Sequence, residues 1–246
     1  MAKDNGKIAF ITGANRGLGF ETARELGEAG VTVILGARDE AKGKQAAADL
    51  ENKGMKAISV KFDINRLADH QAIYKFLEEK YGRLDILVNN AGIFIEERGQ
   101  NQTSSLSLDT LRKTFETNFF NQIALTQTLL PLIKKSPAGR IVNLSSLLGS
   151  LAVHADPKSP IYGMKTFAYD ASKTALNAFT IHLAHELKDT QIKVNSAHPG
   201  WVKTEMGGTE APMELSEGGK TSAQLALLAE DGPTGGFFHM GKPIPW

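Results

Sequence analysis

Tyr169 and Lys173 stand four positions apart in the run Tyr169-Asp170-Ala171-Ser172-Lys173. On a helix that spacing puts phenol and ammonium on one face. An isolated tyrosine, with a pKa of about 10, is a poor acid–base group near neutrality. A nearby ammonium favours the phenolate and draws that pKa toward the working range, so the pair is a candidate proton-transfer device. Of the four tyrosines only Tyr169 is followed by lysine at the fourth position; Tyr74, Tyr81 and Tyr162 meet Glu78, Asp85 and Thr166. An apolar run over 140–144 ends in Ser145-Ser146, which brings a hydroxyl toward the same pair through a loop. The plain alternative is an exposed helical tyrosine with an i+4 lysine.

A second stretch carries binding chemistry. Residues 8–11 are a short apolar run, followed by Thr12-Gly13-Ala14-Asn15-Arg16-Gly17-Leu18-Gly19 and then by Phe20, Ala23, Leu26 and Gly27 at helical spacing. A glycine-rich turn from strand to helix offers backbone N–H groups and a positive helix end to an anion such as a pyrophosphate. The spacing is Gly-x3-Gly-x-Gly, distinct from the Gly-x-Gly-x2-Gly of the usual dinucleotide fingerprint. A glycine-rich turn that merely packs is the competing reading.

These residues need a frame. Strands are expected at 8–11, 31–35, 57–62, 84–88, 140–144, 192–197 and 236–239. Helices are expected after Gly19, from Asp39 as N-cap to about Lys53, at 66–81, 107–134 (where Pro131 could kink it), 167–187 and 218–230. Residues 93–106, 147–165 and 203–216 read as loops. Strands alternating with helices predict an α/β chain, one doubly wound Rossmann-type domain over residues 1–246 with a seven-stranded parallel sheet flanked by helices. Ligands of such sheets bind outside the carboxyl ends of the strands. The glycine loop, 36–39, Asp63 and 89–92 all fall there.

Composition narrows the classes. The chain has 28 basic and 27 acidic residues, so charge makes no case for nucleic acid or an anionic membrane as partner. Cysteine is absent, which excludes disulfides, thiolate catalysis and cysteine-ligated zinc. The N-terminus lacks a signal-peptide core and no apolar run approaches a membrane span, so a cytoplasmic location is the expectation. His182 and His185 share a helix face without an acidic ligand set, and no metal is expected.

Taken together, Thr12-Gly13-x3-Gly17-x-Gly19, Asp63, Asn89-Asn90-Ala91-Gly92, Asn118, Ser146, Tyr169-x3-Lys173 and Pro199-Gly200-x-Val202-x-Thr204 resemble the short-chain dehydrogenase/reductase family. Ala37-Arg38-Asp39 and residues 84–93 look most like its carbonyl-reductase branch. The resemblance implies a catalytic set of Asn118, Ser146, Tyr169 and Lys173. Tyr169 would protonate the carbonyl oxygen as hydride arrives, Ser146 would hydrogen-bond that oxygen, Lys173 would bind the nicotinamide ribose, and Asn118 would hold a connecting water. The implied cofactor contacts are Gly13, Asn15, Arg16, Gly17, Leu18, Gly19, Arg38, Asp63, Ile64, Asn90, Ala91, Gly92, Tyr169, Lys173, Pro199, Gly200, Val202 and Thr204. The stretch from Ser146 to Tyr169 is longer than the family's common pattern. It should lie over the substrate or against a neighbouring subunit, and a homo-oligomer paired through the two long helices is expected unless this insertion blocks it.

Cofactor choice can be read from the second strand's end. An NAD enzyme needs an acidic side chain there for the ribose 2′-OH. Here Ala37 occupies that position, Arg38 follows, and Arg16 lies in the loop opposite, a pair suited to a 2′-phosphate and hence to NADP(H). The function expected is NADPH-dependent interconversion of a small carbonyl compound and its alcohol. A catalytically silent NADP-binding sensor or scaffold is the alternative; an epimerase or dehydratase on the same fold fits the glycine spacing less well.

Overall fold

The computed structural model describes residues 5–96 and 102–246. Part of the expected 93–106 loop and the charged N-terminus fall outside the described residues. The elements are β1 (Ile8–Thr12), α1 (Gly17–Glu28), β2 (Thr32–Ala37), α2 (Glu40–Glu51), β3 (Ala57–Lys61), α3 (Leu67–Tyr81), β4 (Ile86–Asn89), α4 (Leu108–Phe115), α5 (Asn121–Ile133), β5 (Arg140–Leu144), α6 (Leu151–Ala155), α7 (Phe167–Glu186), β6 (Lys193–Ala197), α8 (Lys220–Ala226), β7 (Phe237–His239) and β8 (Lys242–Pro243). The sheet runs β3-β2-β1-β4-β5-β6-β7-β8, parallel throughout except for β7 with β8. Chain order reverses between β1 and β4, which opens a crevice at their carboxyl ends.

The sheet is buried on both faces, and β1 shows how. Ala9 and Ile11 point to one side, with Ala23 and Leu26 of α1, Leu50 of α2 and Ala223 of α8. Ile8 and Phe10 point to the other, with Ile73 and Leu77 of α3, Leu129 of α5 and Leu183 of α7. Side chains alternate along a strand, so a strand covered on both faces reads as continuously apolar. Each large aliphatic side chain so buried stabilises the fold by about 1.5–3 kcal/mol. Gly82 ends α3 in the left-handed conformation at φ +71° and Asp39 caps α2 by accepting from Lys42 N at 3.1 Å, both as expected.

Four expectations need correction. Among the described residues the sheet has eight strands, because Met240 and Gly241, with φ of +48° and +77°, form a two-residue hairpin that returns the chain as β8. A two-residue strand ending in proline has no periodicity to read. The 107–134 helix is broken at Glu116–Phe120 by a π turn, whereas Pro131 is accommodated within α5. Residues 147–165 are only partly loop: they contain a 3₁₀ turn, Leu147–Gly149, and α6. The last helix is shortened to Lys220–Ala226.

The 147–165 insertion is fastened on two sides. Gly149 O accepts from Thr174 Oγ1 at 3.0 Å and Asn177 Nδ2 at 3.3 Å, and His154 Nε2 lies 3.4 Å from Asp170 Oδ2, so it rests along α7. Ser150 Oγ donates to Pro245 O and Ala152 N to Trp246 O, while the Trp246 ring stacks on Phe237. Part of the α7 surface is therefore covered from within the chain.

Candidate active site

The glycine loop leaves β1 at Thr12 and enters α1 at Gly17. Gly13 and Gly17 adopt φ of +65° and +60°, which side chains rarely do. A Cβ on Gly19 would stand 2.6 Å from Gly13 O and 2.9 Å from Ala14 Cα, so helix and loop touch backbone to backbone. On Gly17 a Cβ would meet nothing within 4 Å. The helix N-cap, Arg16, provides no side-chain acceptor, and the first turn carries no acidic residue. This cradle fits an anionic phosphate group: it has space, unspent N–H groups and a positive helix end.

β4 braces the cradle from the side. Thr12 Oγ1 accepts from Asn90 N at 3.0 Å and Ala91 N at 2.8 Å. Asn90 Nδ2 donates to Thr12 O at 2.7 Å and Gly13 O at 3.2 Å. The amide of Asn90 thus holds the loop's shape. Leu18 packs on the core at the start of α1, and Asn15 is half-buried within the loop. At the β3 end, Asp63 Oδ1 accepts from Asn65 N and Ile64 is buried, its carbonyl held by His70. At the β2 end Arg38 is exposed beside the capping Asp39. Arg16 forms an ion pair with Glu205, both side chains being mostly exposed.

The second cluster forms where β4, β5 and α7 converge. Lys173 is buried, and its Nζ donates to Leu144 O, the last residue of β5, at 2.7 Å. The same Nζ lies 5.7 Å from the centroid of the Tyr169 ring. With no counter-charge to offset desolvation, burial lowers the Lys173 pKa to about 8. Gly149 presses on Lys173 from behind, where a Cβ would approach its backbone to 2.9 Å. Asn118, placed by the π turn and fully buried, accepts from Ile93 N at 2.8 Å and donates to Ile93 O at 2.9 Å and Ser172 Oγ at 3.1 Å. Ser172 Oγ in turn donates to Tyr169 O at 2.7 Å. Between Asn118 and Lys173, a Cβ on Gly92 would stand 3.3 Å from Asn118 Oδ1 and 3.6 Å from Lys173 Nζ, so glycine keeps that approach open.

Ser146 is half-buried just past Leu144, and its Oγ accepts from Leu148 N at 3.2 Å. The next residue is steadied by His198, whose Nδ1 accepts from Leu147 N at 3.2 Å. Burial, with a smaller contribution from His239, pushes the His198 pKa down to about 3, so the ring stays neutral and can accept. Beyond it, Gly200 turns at φ +93°, Pro199 and Val202 are buried, and Thr204 Oγ1 accepts from Gly207 N at 2.8 Å. Sequence reasoning did not find Ser172, His198 or Glu96, whose Oε2 accepts from Tyr169 N at 2.7 Å. Each acts through a contact between distant segments, which no local pattern encodes.

This arrangement sets a phosphate cradle and a tyrosine–lysine pair on neighbouring strand ends. The short chain dehydrogenase family model matches residues 7–215. The chain belongs to the short chain dehydrogenase family. Among its members it is similar to the carbonyl reductases. It is 32% identical to carbonyl reductase [NADPH] 1 of Mus musculus, over 97% of this chain and 98% of that protein. Carbonyl reductase Sniffer of D. melanogaster superposes with a TM-score of 0.82 at 30% identity, covering 98% of this chain and 99% of the other. The NADPH-bound carbonyl reductase from chicken fatty liver gives a TM-score of 0.83 at 26% identity over the same shares. The family's α/β Rossmann-like fold is the fold described above. Among the described residues no helix is long and apolar enough to cross a membrane.

Proposed function

We propose that this chain, as one domain over residues 1–246, is an NADP(H)-dependent oxidoreductase that reduces a ketone or aldehyde to its alcohol, or runs the reverse reaction. The observation that carries the reading is the buried Lys173 ammonium, seated between the β5 carbonyl end and the Tyr169 ring beside the phosphate cradle. The NADPH in the names of the mouse and chicken relatives supports the cofactor.

The cofactor's reduced nicotinamide, when bound, supplies hydride. The residues do the rest. The glycine loop from Gly13 to Gly19 takes the pyrophosphate, and Arg38 the 2′-phosphate. Asp63, Ile64 and the Asn90-Ala91-Gly92 turn border the adenine end, and Pro199, Gly200, Val202 and Thr204 the nicotinamide end. Ser146 Oγ orients the carbonyl oxygen of the substrate by donating to it, and Tyr169 gives that oxygen its proton. Lys173 keeps a positive charge beside the phenol, which stabilises the phenolate left behind. Asn118 fixes Ile93 and, through Ser172, the backbone of Tyr169. A panel of ketones and aldehydes followed by NADPH absorbance tests the assignment.

Two expectations arise here. Because Lys173 titrates at about 8, its charge is lost as pH rises through that value, and kcat/KM for reduction is expected to fall there. Unfolded lysine titrates near 10.4, so between about 8 and 10.4 the folded chain binds fewer protons than the unfolded one and folding stability rises with pH. Unfolding therefore does not produce this fall in rate. A pH–rate profile flat across this point would contradict the role given to Lys173.

The second concerns assembly. If pairing through α7 uses the surface that the insertion covers, sedimentation is expected to show a species smaller than a tetramer. A clean tetramer would show that the insertion leaves the pairing face clear.

A further inference from the structure

We infer that Glu96 is the positioning residue for Tyr169, acting from the loop after β4 through the tyrosine's own backbone N–H; this rests on the proposed function. Tyr169 is the third residue of α7, so its N–H is among those without an intrahelical partner. The usual acceptor would be the N-cap side chain, here Thr166. Thr166 makes no such bond: its hydroxyl donates to Asp170 Oδ1 at 2.7 Å, and its N–H to Asp170 Oδ2 at 2.9 Å. The acceptor comes instead from the loop after β4, as Glu96 Oε2 at 2.7 Å.

That choice is energetically odd unless it has a use. Glu96 is only 7% exposed and its second oxygen, Oε1, is buried with no hydrogen-bond partner among the described residues. A buried, half-satisfied carboxylate is costly, and a local serine or aspartate could cap the helix without that cost. It also shares the first turn of α7 with a second buried carboxyl, Asp170, whose pKa is raised mainly by burial and partly by Glu96 itself. Two features offset the cost: the bond from a backbone N–H to a charged oxygen, and the positive end of a 20-residue helix.

What the arrangement achieves is a closed circuit around the phenol. Asn118 holds both the N–H and the carbonyl of Ile93. Phe94 meets the Tyr169 ring edge-on, with centroids 5.2 Å apart. Glu96 then takes the Tyr169 N–H. The segment 93–96 thus ties the tyrosine's ring and backbone to the strand end that borders the cofactor site. A local cap would hold the helix; only a remote one fixes the tyrosine against β4.

The test uses the full-length protein with two variants and two readouts. Glu96→Ala removes the acceptor; Glu96→Gln keeps an oxygen in place without the charge. Amide exchange at Tyr169, read by NMR, reports the bond itself and needs no turnover. Exchange in Glu96→Ala is expected to quicken at least about tenfold, and in Glu96→Gln to stay within about threefold of the parent. In steady-state reduction, Glu96→Ala is expected to lower kcat at least about tenfold with KM for NADPH within about threefold, since a small misplacement of a reacting group costs rate rather than binding. Glu96→Gln should recover kcat to within about threefold of the parent. Unchanged exchange or unchanged kcat in Glu96→Ala overturns the inference, as does Glu96→Gln as impaired as Glu96→Ala. A parent protein that binds NADPH but turns nothing over overturns the proposed function instead, and with it the inference, while the exchange data still read the bond.

Discussion

Replacing Tyr169 by phenylalanine should leave NADPH binding near the parent value and lower kcat by at least about 10²-fold, the scale of losing a general acid. The substitution removes one oxygen from a ring that is nearly buried and packed edge-on against Phe94. Its backbone anchors, Glu96 at the N–H and Ser172 at the carbonyl, do not involve that oxygen. The helix and the Lys173 contact with Leu144 should therefore survive, and a melting curve close to the parent's would verify it. Under those conditions the rate loss reports the proton alone. A variant that kept most of its kcat would sink the mechanism.

Changing Arg38 to alanine should weaken NADPH binding by roughly 10- to 150-fold and leave NADH little affected, because a hydrogen bond to a charged group contributes about 1.5–3 kcal/mol. β2 ends at the buried Ala37, which can neither accept from a ribose 2′-OH nor repel a phosphate. The adjacent Asp39 is turned to the backbone, accepting from Lys42 N, and that bond is the main reason its pKa is lowered. It is thus engaged away from the phosphate position. Arg16 enters differently from the simple picture of two guanidiniums facing one anion, since it pairs with Glu205 from the 203–216 segment. Both partners are mostly exposed, and such pairs contribute little, so a phosphate can draw Arg16 away. Ala37→Asp should do the reverse of the native preference, favouring NADH. The check is kcat/KM with both cofactors in the parent, Arg38→Ala and Ala37→Asp. A parent that prefers NADH, or an Arg38→Ala that harms both cofactors alike, would show the assignment wrong.

The sequence made the sheet legible because its strands are buried on both faces. Runs such as 8–11 and 86–88 have no polar residue to confuse with a half-exposed strand. Caps at Asp39 and Gly82 were equally readable, since each depends on the residue's own geometry. The breaks were not. The π turn at Glu116–Phe120 carries Asn118, which bonds Ile93, a contact between segments that share no local pattern. The final hairpin rests on two positive φ values, one of them at Met240, a residue type that gives no turn signal. The spacing of Tyr169 and Lys173 could be read, but not that burial would strip the ammonium of solvent and lower its pKa. Glu96 is the extreme case: nothing in the sequence around it says that its carboxylate is buried, and only the fold brings it to the N–H of Tyr169.

The account stands most directly on turnover. Purified protein mixed with NADPH and a panel of aromatic and aliphatic ketones and aldehydes is expected to consume NADPH, with the alcohol formed in equal amount and no consumption by Tyr169→Phe. Tight NADPH binding without consumption across the panel would contradict it, and would mark the chain as a cofactor-binding protein that keeps the fold without the reaction.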